Sequence, residues 1–546
     1  MPRKFLGSLF SGIPPIEADP QYLASRETQR VVPGLLWLAG IVVTSTVYFL
    51  IYFTPVHLHD ISHFATAGVS LVRDHKDLAY PYQGPTYESF QAHTAILDAR
   101  INYPSKLYSA LFGLICAATG RMRLEYTQGL SLAAFLLANV LLYLIGRRFF
   151  SGLRLASLLV CTAFFPVMRF ALNPGIDLFG YLGLLFLLWL SIAFRINPIL
   201  FGVYAGILAH FRAQMVSIPL VFPILLTAFS TRSFFRQTAI PVLVGFCIGY
   251  GALAAAFILW LHSNHAANPV GFYTTYWANS MLGPSDRMRI VKKLVDAVVS
   301  IFDSSQLSFL APTAIACLFC RHCPPARRLA VGALVYIAVP IALYSVDRYF
   351  QPRARYYMFA VPLIVLAAFL ALQSISWRKI RFICDCAFPL LAAASVFTWQ
   401  KAYGFPVQNL RSASVISRAC YLDFAGADDA LAASFAPDDI VIVNHALPTG
   451  LSHLHNVLYI PSPEHFRAGD NTKIEGLVFV YSNNSPNEFF SPKDWFIDGV
   501  MPSTLRDQHG LVFRRVFFET SKLLGPDGSV QSEAYFEIYK QNSRSK

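Results

Sequence analysis

Asp60 stands in the stretch HLHDISHFATAG, residues 57–68, directly after the first strongly apolar run of the chain. A carboxylate there has two possible uses. It can cap the helix expected over 61–73 by accepting from a backbone N–H, or it can take a proton as a general base. His57, His59 and His63 surround it, and His59 and His63 sit one helical turn apart. Histidines so placed can contact a polar ligand or bind a divalent metal. A second acid, Asp177 in NPGID, opens a later apolar run and can likewise cap a helix or serve a site. The other candidates are cations: Lys106, Arg212 in LAHFRAQ, and Arg348, Arg353 and Arg355 in DRYFQPRARYY. Arginine holds a phosphate with two parallel N–H bonds, and lysine holds it as a point charge. Two blander uses stand beside that one. Lys106 can snorkel, and one of the late arginines can anchor the chain at a lipid headgroup.

The elements that must position these residues are apolar. The chain has 546 residues, 55% hydrophobic and 14% charged, with a mean hydropathy of +0.47. A soluble chain is nearer a quarter charged. Apolar runs fall at 33–54, 126–145, 155–171, 177–194, 198–210, 213–229, 238–261, 307–320, 329–346, 356–373 and 382–399. Most are long enough, or nearly so, to cross a hydrocarbon core of ~30 Å. We therefore expect a polytopic α-helical membrane protein of about eleven spans. The run at 33–54 follows some thirty mostly polar residues and has no small-residue cleavage site after it, so it reads as a retained first span. Residues 107–119 are apolar but short, and are expected to lie along the interface or to re-enter partway.

Charge gives an orientation. Basic residues gather in the N-terminal segment (1–32), in GRRFFSGLR, at Arg195, and in STRSFFRQ, CRHCPPARR and WRKIR. Opposed only by Glu17, Asp19 and Glu27, they carry a net +13, the same as the whole chain. The excess is thus a positive-inside signal and not a nucleic-acid patch. It predicts a cytoplasmic N-terminus and puts the loop 55–125, the turns at 169–177 and 208–214, the loop 262–306 and the stretch 345–357 outside. The tail, 401–546, falls outside too, and its pattern is soluble. Residues 438–446, 457–462, 476–482, 512–519 and 533–540 read as strands and 424–435 as a helix, making a small α/β or α+β domain. Of the nine cysteines only Cys420 is in the tail, so no disulfide framework is implied there. Cys320 and Cys323 form a CxxC with no second pair at zinc spacing. The span interiors are nearly free of charge, Asp385 near a cytoplasmic end being the main exception. That pattern argues against a transporter, which needs ionisable groups near the midplane.

Several stretches, taken in order, resemble the glycosyltransferase C superfamily. Asp60 followed by HFATAGVSLV matches the acidic residue after the first span. INYPSKLYSALFGL (101–114) is similar to the YPP-type interfacial segment, LLYLIGRRFF (141–150) to the basic turn after the next span, and NPGID (173–177) to the outer turn with a second acid. YAGILAHFRAQ (204–214) resembles the G-x-L-x-x-x-K/R turn, and DRYFQPRARYYMFAVPLIVLAA (347–368) the late R-Y-x-x-x-x-x-P stretch. The resemblance covers about 33–400. It extends to dolichyl-phosphate-mannose and aminoarabinose transferases and to bacterial mannosyl- and arabinosyltransferases. This chain departs from the pattern at Asp60-Ile61 for an acidic pair, at YPS for YPP, and at Arg212 for a lysine.

What the resemblance implies is a membrane transferase, without cofactor. It would move a sugar, mannose or another hexose or pentose, from a polyprenyl phosphate to a glycan, lipid or protein acceptor on the outer face. Displacement would be inverting, with Asp60 as base and Asp177 as a second acid. Arg212, Arg348, Arg353, Arg355 and Lys106 would hold the donor phosphate, and His59, His63 and Tyr103 would touch substrate. A bacterial inner membrane is the expected home. A flippase for a lipid-linked saccharide and a non-catalytic envelope-assembly scaffold are the rival classes.

Overall fold

The computed structural model describes residues 106–120, 125–150, 152–164, 176–194, 196–212, 235–263, 287–303, 307–346, 357–374, 379–380, 382–387, 425–437, 439–443, 456–459, 475–482, 503–506, 512–524 and 530–541, with isolated positions including Gly68 and Val72. Among these the chain is mostly helical. The helices are α1 (Lys106–Thr119), α2 (Glu125–Gly146), α3 (Gly152–Phe164), α4 (Asp177–Ala193), α5 (Pro198–Leu208), α6 (Ile240–Ser263), α7 (Arg287–Asp303), α8 (Leu307–Leu318), α9 (Pro324–Val346), α10 (Val361–Gln373) and α11 (Ala425–Ser434). Three stretches are long and apolar enough to cross a membrane: Gly129–Gly146, Gln237–Trp260 and Pro324–Leu343. Shorter apolar helices accompany them, including α1, Leu178–Ala193, Pro198–Phe211 and α10.

The helices pack around α10, whose residues Val361–Leu370 are all buried. Leu184, Leu187 and Leu188 of α4, Phe201 of α5, and Ala326, Leu329, Ala330 and Ala333 of α9 share its core. The closest pairing is α5 against α6, and its cause is in the sequence. FGVYAG and GFCIG each place glycines one turn apart. A Cβ on Gly202 or Gly206 would strike the backbone of α6 at Val242 or Phe246, and one on Gly245 or Gly249 would strike α5 at Ile199 or Val203. Small residues at this spacing let two backbones touch. Ile199 meets Gly245 and Val203 meets Gly249, so the helices run parallel.

At the end opposite the site, Arg154 of α3 donates to Asp385 through Nε (3.0 Å to Oδ1) and Nη2 (2.8 Å to Oδ2). Ser157 Oγ donates to the Asp385 carbonyl at 2.7 Å. The one acid that looked misplaced in an apolar run thus has a bidentate arginine partner.

The C-terminal residues form a six-stranded sheet in the order β2-β1-β3-β6-β5-β4, from β1 (Ile440–Val443), β2 (Asn456–Tyr459), β3 (Gly476–Ser482), β4 (Thr504–Arg506), β5 (Val512–Leu524) and β6 (Val530–Gln541). β1 pairs parallel with β2 and β3, and the other pairings are antiparallel. Helix α11 packs on β5 and β6, where Lys540 Nζ donates to the Ser434 carbonyl at 2.9 Å. Glu537 is fully buried and accepts from Arg515 (3.2 Å) and from the Tyr539 hydroxyl (3.1 Å). Burial, then the Glu537 charge, pushes the Tyr539 phenol above its ordinary range.

Candidate active site

The site is built on the turn after α5. Pro198 at the first position and the Asn197 side chain, which accepts from Ile199 N–H at 2.8 Å, start that helix. Its eleven residues pass into a single 3₁₀ turn, Ala209–Phe211, and Arg212 takes extended backbone at φ −154°. The extended residue ends the helix and turns the guanidinium inward. Arg212 is 1% exposed, with Cζ 5.2 Å from the centroid of the Phe359 ring. Gly180 on α4 makes room for both: a Cβ there would come within 2.8 Å of Arg212 Cδ and of the Phe359 ring. Phe359 belongs to the 3₁₀ turn Met358–Ala360 that leads into α10. Its ring also meets Tyr336 of α9, centroid to centroid 5.5 Å.

Two more polar side chains converge on the same turn. His210, fully buried, stacks on Tyr250 of α6 at 4.3 Å and 19°. Its Nε2 lies 3.1 Å from the Tyr250 carbonyl. A carbonyl only accepts, so Nε2 carries the proton of this bond. Lys106 opens α1 and is 2% exposed. Helix α1 reaches the turn through packing against Ala209–Phe211 and an aromatic ladder. Tyr108 meets Phe179 edge-on at 5.2 Å, and Phe179 stacks on Phe211 at 5.2 Å. Gly68 lies against α1 at Ser109 and Gly113, backbone against backbone, and the Val72 side chain lies against Gly113. Residues 68 and 72 therefore lie against the helix that carries Lys106.

Depth follows from helix lengths at 1.5 Å per residue. Tyr336 stands ~18 Å along α9 from Pro324 and ~15 Å short of Val346. Tyr250 stands ~15 Å from the start of α6 and ~20 Å short of its end. Gly180 and Phe359 lie ~20 Å from the basic-side ends of α4 and α10. Arg212, His210 and Phe359 thus lie where α4, α5 and α10 end and level with the middle of α6 and α9.

Of the residues singled out from sequence, the structure brings Lys106 and Arg212 to one turn. Asp177 is the first residue of α4, one turn from Gly180, and Ile176 occupies the cap position with no side-chain cap bond. Asp60, His59, His63, Tyr103, Arg348, Arg353 and Arg355 lie outside the described residues. His210, Phe359 and Gly180 were not singled out. Only His210 had a legible signal, as a histidine two residues before Arg212 in a tight apolar turn.

No family model matches the sequence, and no curated protein matches it. Among solved structures the chain is similar to ArnT from Cupriavidus metallidurans bound to undecaprenyl phosphate, at 12% identity over 82% of this chain and 93% of that one, TM-score 0.48. The apo state of that ArnT gives 14% identity over 77% and 85%, TM-score 0.43. The Archaeoglobus fulgidus oligosaccharyltransferase in the apo form gives 12% identity over 81% and 69%, TM-score 0.36. These neighbours belong to the glycosyltransferase C superfamily, the one that the sequence features resemble.

Proposed function

We propose that this chain is a membrane glycosyltransferase that takes a sugar from a polyprenyl phosphate and passes it to an acceptor on the outer face. The observation that carries the reading is the burial of Arg212 and of Lys106, whose helix packs on the turn before Arg212. Removing two cations from water costs several kcal/mol each. An anion bound at this turn would offset part of that cost. A phosphate suits it, because a guanidinium and an ammonium bind phosphate oxygens with charge-assisted bonds. The leaving group in such a transfer is a lipid phosphate, which needs cations more than it needs an acid. The acceptor hydroxyl must lose its proton as it attacks the anomeric carbon, and Asp60 is the proposed base. Arg348, Arg353 and Arg355 are proposed to complete the cationic cradle, with Asp177, His59, His63 and Tyr103 toward the sugar and acceptor.

The test is purified full-length protein in proteoliposomes with labelled polyprenyl-phosphate sugar. Transfer of label to an acceptor, or its hydrolysis, is expected. Label that crosses the bilayer intact would replace this reading with a flippase, and label that does neither would leave a scaffold. Within the transferase reading, Arg212→Ala should weaken donor binding by ~2 kcal/mol, or roughly 30-fold, the worth of one charge-assisted contact. Wild-type donor affinity in Arg212→Ala, and in each of Arg348→Ala, Arg353→Ala and Arg355→Ala, would show that the cations do not hold the donor.

A further inference from the structure

Helix α7, RMRIVKKLVDAVVSIFD, is unlike the helices around it. It carries Arg287, Arg289, Lys292 and Lys293 near its start and is almost wholly apolar from Ala297 to Phe302. At 100° per residue its side chains divide into three arcs. Ala297 and Ile290 mark the first, and Ala297 is fully buried where α7 packs on α8 and α9. Met288, Val291, Leu294, Val295, Val298 and Val299 make the second, and all are exposed, Met288 at 84%. Arg289, Lys292, Lys293 and Asp296 make the third, and Arg287, at the first position of the helix, falls at the edge of the second arc's length rather than in the third.

A soluble helix would not leave six large apolar residues on one open arc. A spanning helix would not carry four cations. A helix lying in the membrane interface does both: its apolar arc enters the acyl chains and its basic arc stays at the headgroups. We infer that α7 is an interfacial helix whose Arg289–Lys293 turn binds anionic phospholipid headgroups while Val291, Val295 and Val298 rest in the acyl layer. Two observations select lipid as the occupant. Helix α7 packs on α8 and α9, which expose apolar side chains of their own, Ile315 and Val331. The charge is also graded along the helix. Its basic start suits the headgroup level, and its apolar end leads into α8, a helix of 12 residues that rises only ~18 Å. This inference concerns a face of the chain distinct from the buried turn and stands whether or not the protein transfers sugar.

The experiment is hydrogen exchange on full-length protein in nanodiscs of phosphatidylcholine alone, or of phosphatidylcholine with phosphatidylglycerol. Amides of 287–299 are expected to exchange at least several-fold more slowly in the anionic discs, while α10 is unchanged. Arg289→Gln with Lys292→Gln should remove that difference and leave the neutral-lipid pattern as it was. Val295→Glu should speed exchange in both membranes. Equal protection in the two membranes would overturn the headgroup assignment. So would protection that appears only when a soluble protein is added, which would make the face a protein-docking surface.

Discussion

At the scale of single residues, Asp60 is the sharpest case. Asn keeps the size of Asp and its ability to cap a helix but cannot take a proton. Asp60→Asn should therefore insert, bind donor and turn over ~10²–10⁴-fold more slowly if the acid is the base. Equal expression together with a wild-type transfer rate would leave only the capping role. Lys106→Met separates charge from packing in the same way. It keeps the apolar stem that α1 buries, so the fold should stand while donor affinity falls by roughly tenfold or more, the share of a lysine meeting a phosphate. Unchanged affinity would reduce Lys106 to a snorkelling residue. Arg212 was legible in the sequence because a guanidinium in a tight connection between two apolar runs has few cheap explanations. His210 carried a fainter signal, a histidine two residues before Arg212 in a tight apolar turn, which names no partner for it. Only the fold shows its ring stacked on Tyr250 and its Nε2 bonded to that residue's carbonyl. Gly180 was illegible for a related reason. Its work is to leave space for Arg212 and Phe359, which come from segments far away in the chain.

At the scale of elements, the glycine pairing of α5 and α6 makes a prediction with its own control. Gly206 faces Phe246 and Tyr250 backbone atoms, whereas Gly251, on the same helix pair, has open space around its missing side chain. Gly206→Ala must push the helices apart at the level where His210 holds Tyr250. It should cost ~1–3 kcal/mol of stability and also weaken donor binding by moving Arg212. Gly251→Ala meets nothing and gains helix propensity of up to ~1 kcal/mol, so its melting temperature should hold or rise. Melting in the same detergent distinguishes them, and equal behaviour of the two would mean the glycine contact does not set the spacing. Apolar runs located these helices well: the run 198–210 is α5 with its turn, and 238–261 lies within two residues of α6. The strand at 476–482 was legible from its short β-branched and aromatic run, which is β3 itself, but β4 is only three residues long and leaves no pattern to read. Helix α7 was passed over inside a loop because its apolar residues are spread through a basic stretch and never form a run.

At the scale of the whole molecule, the Arg154–Asp385 pair ties a segment early in the membrane region to one near its end. The side chains are 16% and 9% exposed, so the pair is shielded enough to matter. Asp385→Asn should cost ~1–3 kcal/mol by leaving the guanidinium short of its partner. Combining it with Arg154→Leu should recover part of that loss, as removal of both charges generally does. Strictly additive losses would show that the two residues are not coupled. The same pair bears on orientation, because Arg154 is one of the basic residues expected in the cytoplasm. Helices α5 and α6 begin after Arg195 and after Arg232 and Arg236, and they run parallel, so their basic starts lie on one side. Positive residues stay on the cytoplasmic side because short basic loops are the ones not translocated. The eleven spans expected from the sequence would carry the chain from an inner N-terminus to an outer tail, on the face expected for Asp60. A reporter that works only after export, fused to Lys546, should be active, and its cytoplasmic counterpart fused there should be silent. Cytoplasmic activity at that position would make the number of crossings even. Asp60 and the sheet would then face opposite compartments, and any role for the tail in binding the acceptor would fall with the eleven-span count.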